Sequence, residues 1–81
     1  MTATTLPTLA EAKSWMRRWR LAQRAGLVIF WEGEAFEWAS FLDKPSNNRP
    51  GCIAIDLASG QRFRAEGGNF KVGAERWVPI A

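Results

Sequence analysis

Four basic residues recur along the N-terminal third of the chain at spacings of four, three and four: Lys13, Arg17, Arg20 and Arg24. On an α-helix these spacings bring the four side chains onto one edge, where like charges one turn apart repel each other by roughly a few tenths of a kcal/mol per pair. We refer to this set as the basic stripe. Its chemistry is that of a surface that binds carboxylates or phosphates. The alternative is a solvated face whose last two arginines interact favourably with the helix dipole.

Residue types that perform catalysis are scarce. The chain contains no histidine, which removes the usual general base and the commonest metal ligand. The single cysteine, Cys52, has no histidine to activate it, and we expect it to pack as a small apolar residue. Glu32, Glu34 and Glu37 are close in sequence, but nothing around them indicates the pocket that paired-carboxylate catalysis requires. The sequence therefore predicts a protein that is not an enzyme and that has no cofactor and no metal site.

The basic stripe needs a helix to align it, and residues 8–25 have the pattern of one amphipathic helix. Its apolar side would be formed by Leu9, Ala12, Trp15, Met16, Trp19 and Ala22. Thr8 and Glu11 have the spacing of a capping box at the start, and Gly26 is placed as a left-handed cap at the end. We expect Trp15 and Trp19 to pack in the core.

Short strands are predicted after the helix. Residues 27–31 (LVIFW) predict a central strand covered on both faces, followed by a turn at Glu32–Gly33 and a partner strand over residues 35–42. A hairpin closed over two or four residues puts Leu27, Ile29 and Trp31 on the same face as Phe36 and Trp38. Residues 43–51, rich in proline and asparagine, predict a surface loop.

The second half of the chain predicts another hairpin and an edge strand. Residues 52–57 alternate, and a three-residue loop over residues 58–60 would pair Asp56 with Arg62 and use Gly60 at positive φ. Residues 70–72 predict a short strand, and Pro79 places the last strand, residues 77–80, at an edge. The predicted fold class is α+β: an N-terminal amphipathic helix packed on a small, bent antiparallel sheet or partial barrel of four to six strands. We expect one domain over residues 8–81 after a flexible lead of residues 1–7.

Further residues could contribute to binding beside the basic stripe. A domain this small has difficulty burying five tryptophans, so we expect one or two of Trp31, Trp38 and Trp77 to be partly exposed. An exposed tryptophan beside arginine is typical of a binding hot spot, and we take Trp31, Trp77 and Arg18 as further candidates. Arg62 and Arg64 alternate with aromatic residues on a strand, a pattern that could hold single-stranded nucleic acid. Simple alternation, with aromatic residues inward and basic residues outward, is the other interpretation of this strand.

Charge is divided unevenly along the chain. Residues 1–25 hold five basic residues and one acid, a net charge of +4, whereas residues 26–81 hold six basic residues and seven acids, a net charge of −1. A partner attracted by charge would therefore meet the helix first. The sequence contains no apolar run of the roughly 18 residues that a membrane span needs. With a single cysteine, it predicts an intracellular protein that has no membrane partner. The edge at Pro79 and the long apolar first strand leave a monomer and a weak homodimer as alternatives.

In its size, single-domain organisation, tryptophan and arginine content and lack of catalytic residues, the chain resembles the small accessory proteins of phages and plasmids, of which anti-CRISPR inhibitors are one class. The resemblance implies a non-enzymatic protein of the bacterial host's cytoplasm that inhibits or remodels a host protein or nucleoprotein complex. The basic stripe, with an exposed tryptophan, would then bind a host protein or ribonucleoprotein subunit with an acidic patch. The alternative is a small regulator that binds DNA or RNA directly through the same stripe.

Overall fold

The computed structural model describes residues 6–21 and 25–80, which form one helix and one five-stranded antiparallel sheet. The elements are α1 (Leu9–Arg18), β1 (Leu27–Trp31), β2 (Glu34–Ala39), β3 (Ile53–Asp56), β4 (Arg62–Glu66) and β5 (Arg76–Ile80), with a 3-10 turn at Pro45–Asn47. The strand order across the sheet is β2-β1-β3-β4-β5, so the sheet is open and β2 and β5 are its edges. The predicted α+β class is confirmed.

The start of α1 agrees with the sequence. Thr8 is the N-cap residue, and its hydroxyl oxygen accepts a hydrogen bond from the backbone N–H of Glu11 at 3.2 Å. The same hydroxyl donates to the Glu11 carboxylate at 3.3 Å. Just before the helix, Leu6 packs against the core and Pro7 is buried, so residues 6 and 7 belong to the packed part of the molecule.

The end of α1 differs from the prediction, because the helix stops at Arg18 and not at residue 25. Arg20 has a φ of 60° and accounts for the stop. Its N–H donates to the carbonyl oxygen of Arg17 at 3.0 Å, and the N–H of Leu21 donates to that of Met16 at 2.7 Å. These two bonds form a Schellman motif, and Leu21 also packs on the core cluster that contains Met16. An arginine thus has the place that we assigned to Gly26.

The sheet is covered on both faces. On one face, Ala12 and Met16 of α1 pack against Val28, Phe30 and Ile55. On the other face, the loops after β2 and β4 cover a second cluster of small and medium side chains: Leu27, Ile29, Cys52, Ala54, Ala65 and Ala74. The prediction that β1 is an interior strand with two covered faces is therefore correct. We call the two sides the helix face and the loop face.

A β-bulge makes the predicted face of Trp38 wrong. β1 and β2 are paired at Trp31 with Glu34 and at Phe30 with Ala35, but the register shifts before Ile29, which pairs with Glu37. The extra residue moves Trp38 to the helix face, opposite Val28, because one added residue exchanges the two faces of a strand. There the Trp38 indole N–H donates to the carbonyl oxygen of Ala25 at 2.9 Å.

The β3–β4 loop has four residues, 57–60, and not the predicted three. Gln61 still pairs with Asp56, because its carbonyl oxygen accepts a hydrogen bond from the N–H of Asp56 at 2.9 Å. The Asp56 carboxylate accepts hydrogen bonds from the N–H groups of Ala58 and Ser59, at 2.8 and 3.2 Å, which widens the turn. Gly60 has the predicted positive φ, at 78°. The longer loop shifts the register, so Arg62 pairs with Ile55 and not with Asp56. Both strand arginines, Arg62 and Arg64, therefore lie on the helix face.

Residues 70–72 form a turn where a strand was predicted. The Asn69 side-chain oxygen accepts hydrogen bonds from the N–H groups of Lys71 and Val72, both at 2.9 Å, and the backbone of Gly73 pairs with that of Asn69. This local asparagine turn replaces the pairing that a strand would need. The prediction of an edge strand with Pro79 is correct, since β5 is paired only with β4.

Candidate binding surfaces

A group of three aromatic rings and one arginine lies on the loop face, where Trp31 is half-buried against the core and Arg49 is exposed. The guanidinium carbon of Arg49 is 5.3 Å from the ring centre of Trp31 and 5.8 Å from that of Phe70. The two rings meet edge to face, with their centres 5.6 Å apart. Phe36 is 50% exposed, and Phe70 is 67% exposed. We call Trp31, Phe36, Arg49 and Phe70 the aromatic cluster.

Four separate segments position this cluster. Trp31 ends β1, Phe36 lies on β2, Arg49 lies in the loop that follows β2, and Phe70 lies in the asparagine turn. Backbone hydrogen bonds fix the two loops to each other and to the sheet. The N–H of Ala74 donates to the carbonyl oxygen of Asn48 at 2.9 Å, and the N–H of Gly51 donates to that of Ala65 at 2.8 Å. The cluster is therefore held by the fold and not by a single flexible loop.

The cluster borders an open depression of about 260 Å³. Its lining combines aromatic rings, two side-chain amides, a guanidinium and a thiol: Trp31, Phe36, Asn47, Asn48, Arg49 and Cys52. Burial raises the pKa of the Cys52 thiol above its ordinary value, although the backbone and the charge of Arg49 act in the opposite direction. The thiol at this site is thus kept protonated and unreactive at neutral pH.

The structure places the basic stripe differently from the prediction. Lys13 and Arg17 are exposed on α1, and Arg20 is exposed just after it, in the left-handed position. Arg24 lies outside the described residues, as do the other two residues of the range 22–24. The expected alignment of four cations on one helix is therefore wrong, since the helix ends before Arg20.

The second tryptophan of the predicted core pair is exposed. Trp19 caps the end of α1 and is 62% exposed, whereas Trp15 is half-buried against the core. The two ring centres are 6.4 Å apart. Trp19 is thus at the surface, on the side of the helix end that Trp15 occupies, and it is flanked in the sequence by Arg18 and Arg20. We call Lys13, Arg17, Arg18, Trp19 and Arg20 the helix-end patch.

Arg18 lies on the side of the helix-end patch that turns towards the β1–β2 hairpin. It lines an open cavity of about 190 Å³ together with Trp15, Glu11 and Glu34. Two acids are therefore near this arginine. Within residues 6–21 and 25–80, no ion pair joins Lys13 or any of the three arginines of the patch to a carboxylate.

The remaining predicted binding residues make contacts inside the protein. Trp77 is half-buried, and its indole N–H donates to the carbonyl oxygen of Asp43 at 2.7 Å. Arg62 donates to the carbonyl oxygen of Pro7 at 3.2 Å, and Arg64 forms an ion pair with Glu66 at 3.7 Å. The structure does not bring these three residues together with the helix-end patch in any contact that it describes.

Sequence reasoning missed Phe36 and Arg49 as binding candidates, and it considered Phe70 only as one of the aromatic residues that alternate with basic residues on strands. Arg49 stands in a stretch, SNNRPG, whose turn-forming residues indicate only a loop, and Phe70 was assigned to a strand. For Phe70, the signal is a large apolar residue directly after Asn69 in a turn-forming stretch, because a residue in such a turn is exposed and cannot pack in the core.

Over the described ranges, no helix has the length and apolar character needed to cross a membrane. In the same part of the chain, no group of three or more cysteine and acidic side chains is arranged to hold a metal ion. No protein-family model matches the chain, and neither the curated proteins nor the solved structures contain a significant match. The surfaces of the described residues are therefore the basis on which a function can be proposed.

Proposed function

We propose that this chain is a non-enzymatic binding protein that inhibits or remodels a host protein or nucleoprotein complex, and that it docks through the aromatic cluster. The observation that supports this proposal is the stacking of Arg49 on Trp31 and Phe70, at 5.3 and 5.8 Å, on an exposed surface. Arginine and aromatic residues are enriched at protein interfaces, and tryptophan and arginine dominate their hot spots.

The exposed apolar area of the aromatic cluster is large enough to contribute to the free energy of binding. A phenylalanine side chain buries about 150 to 250 Å² in a core or an interface. Covering the exposed two thirds of Phe70 would contribute about 3 kcal/mol at ~25 cal/mol per Å². The cluster is also pre-organised, since backbone hydrogen bonds already hold both of its loops, and this lowers the entropic cost of binding.

The charges around the cluster favour a protein partner over a polyanion. Arg49 and Glu37 are both close enough to Cys52 to affect its thiol electrostatically, so charges of both signs border the depression. A polyanion would be repelled by the Glu37 carboxylate. A protein surface can instead insert an apolar side chain into the depression and pair one carboxylate with Arg49.

The proposal is tested by affinity capture from a nuclease-treated bacterial lysate. Wild-type protein should recover a specific protein that Arg49→Glu and Phe70→Ala fail to recover. Phe41→Ala is the matched control, because Phe41 is also 67% exposed but follows the end of β2 remote from Trp31. Recovery of the same proteins by all four baits would contradict docking through the cluster. Circular dichroism establishes that each variant is folded.

A further inference from the structure

We propose that the helix-end patch binds single-stranded nucleic acid, with its cations on the phosphates and Trp19 stacked on an unpaired base. This site is independent of the aromatic cluster, since α1 and the cluster lie on opposite faces of the sheet. The segment that carries the helix-end patch is strongly positive. Residues 6–21 contain four cations and one acid, Glu11, whose carboxylate already accepts a hydrogen bond from Thr8.

Spacing supports a polyanion as the occupant. Lys13 and Arg17 are one helical turn apart, about 6 Å along the axis, and Arg20 follows at the helix end. A nucleic acid strand offers one phosphate for each nucleotide, so it can meet three cations within this length. The two acids near the patch, Glu11 and Glu34, lie on the cavity side with Arg18. Lys13, Arg17 and Arg20 are therefore the phosphate contacts.

The apolar part of α1 argues against a lipid surface. Ala12 and Met16 are buried in the core, so the helix has no free apolar face to insert between headgroups. Trp19 is the exposed apolar group of the patch, at 62%. Trp19 is flanked in the sequence by Arg18 and Arg20, so an exposed indole and two cations are available at the end of α1. Single-strand binders stack bases on such rings and hold the backbone with cations, and stacking requires a base that is not paired.

The conformation of Arg20 supports the same assignment. A non-glycine residue in the left-handed region costs about 1 kcal/mol, and glycine is the common residue at this position of a Schellman motif. The chain thus keeps a cation where glycine would be more stable. Such strain is found most often at functional positions.

The test is fluorescence anisotropy with labelled single-stranded oligothymidylate and oligouridylate of about twelve nucleotides, a duplex of the same length, and vesicles containing phosphatidylserine. We expect single strands to bind, with a slope of log K against log salt of about −2 to −3, the value for three to four phosphates at ~0.7 each. Trp19→Ala should weaken binding by a factor between about 5 and 150, the range for one stacked base.

Two double variants distinguish contact at the helix-end patch from a general effect of net charge. Arg17→Gln combined with Arg20→Gly should weaken binding and reduce the salt slope, without loss of folding, because glycine suits position 20. Lys44→Gln combined with Lys71→Gln removes the same charge from the exposed loops after β2 and β4 and should leave binding unchanged, as should Phe70→Ala. Equal losses in both double variants, equal affinity for the duplex, or binding to vesicles alone would each overturn the proposal.

Discussion

The indole N–H of Trp77 donates to the carbonyl oxygen of Asp43 at 2.7 Å and so joins edge strand β5 to the loop that follows β2. These residues are separated by 34 positions in the sequence. The same loop carries Arg49, so the hydrogen bond also stabilises the support of the aromatic cluster. Trp77 was predicted to bind a partner. Its position assigns it a role in holding the loop face together.

Trp77→Phe keeps an aromatic ring but removes this donor. We expect the free energy of unfolding to fall by about 1 to 2 kcal/mol, since a hydrogen bond is lost and a part-buried carbonyl is left unpaired. Trp15→Phe is the control, because its indole N–H has no hydrogen-bond partner among residues 6–21 and 25–80. Urea unfolding measures both changes. Equal losses in the two variants would show that ring size, and not the hydrogen bond, is responsible.

Arg20→Gly relieves the left-handed strain at the end of α1. We expect stability to rise by about 1 kcal/mol, the difference between arginine and glycine at a φ of 60°. Thermal unfolding measures this effect. The control is Arg17→Gly, which places glycine inside the helix and should lower stability by a similar amount. A loss of stability in Arg20→Gly would mean that the arginine side chain stabilises the fold.

The carboxyl group of Asp43 should titrate at an unusually low pH. The side-chain amide of Asn47 donates to it at 2.8 Å and the N–H of Lys44 at 2.7 Å, and together they hold its pKa below the ordinary value. Stability from this group is therefore present above the unfolded pKa and is lost as the pH falls through the folded pKa. NMR titration should show the pKa of Asp43 rising in Asn47→Ala. Asn48→Ala, which leaves both bonds intact, should not change it.

Cys52 should resist alkylation in the folded protein. The residue is 2% exposed, and burial raises the pKa of its thiol, so both access and thiolate fraction are low. We expect iodoacetamide at about pH 8 to react at least ~10-fold more slowly with native protein than with urea-unfolded protein. A Cys52→Ala protein carrying Ser40→Cys, at an exposed position, should react at similar rates in both states. Fast native alkylation of Cys52 would contradict the burial.

Hydrophobic patterning was sufficient to predict the broad architecture. The apolar run of β1, the alternation of β3 and the Thr8 cap are local signals, and each corresponds to an element of the structure. Patterning could not predict the end of α1. The Schellman motif depends on Leu21 reaching the core cluster that contains Met16, which is a tertiary contact, and it uses arginine where the sequence rule expects glycine.

The face of the sheet on which each side chain lies was harder to predict, because one inserted residue moves every following side chain of the strand to the opposite face. The bulge in β2 and the fourth loop residue before β4 each shift a register by one position. This exchanged the faces of Trp38 and of Arg62. The aromatic cluster could not be predicted for a related reason. Trp31, Arg49 and Phe70 come from three segments whose meeting depends on backbone hydrogen bonds between loops.

The helix-end patch and the aromatic cluster lie on opposite faces of a sheet in a protein whose shortest dimension is 22 Å. Partners bound to the two surfaces at once would be kept within a few tens of ångströms of each other. At such a distance each partner has an effective concentration of about millimolar around the other. Even a weak interaction between the two partners would therefore form. The chain would then act as an adaptor. Its effect would rise and then fall with dose, since excess protein occupies the two partners separately.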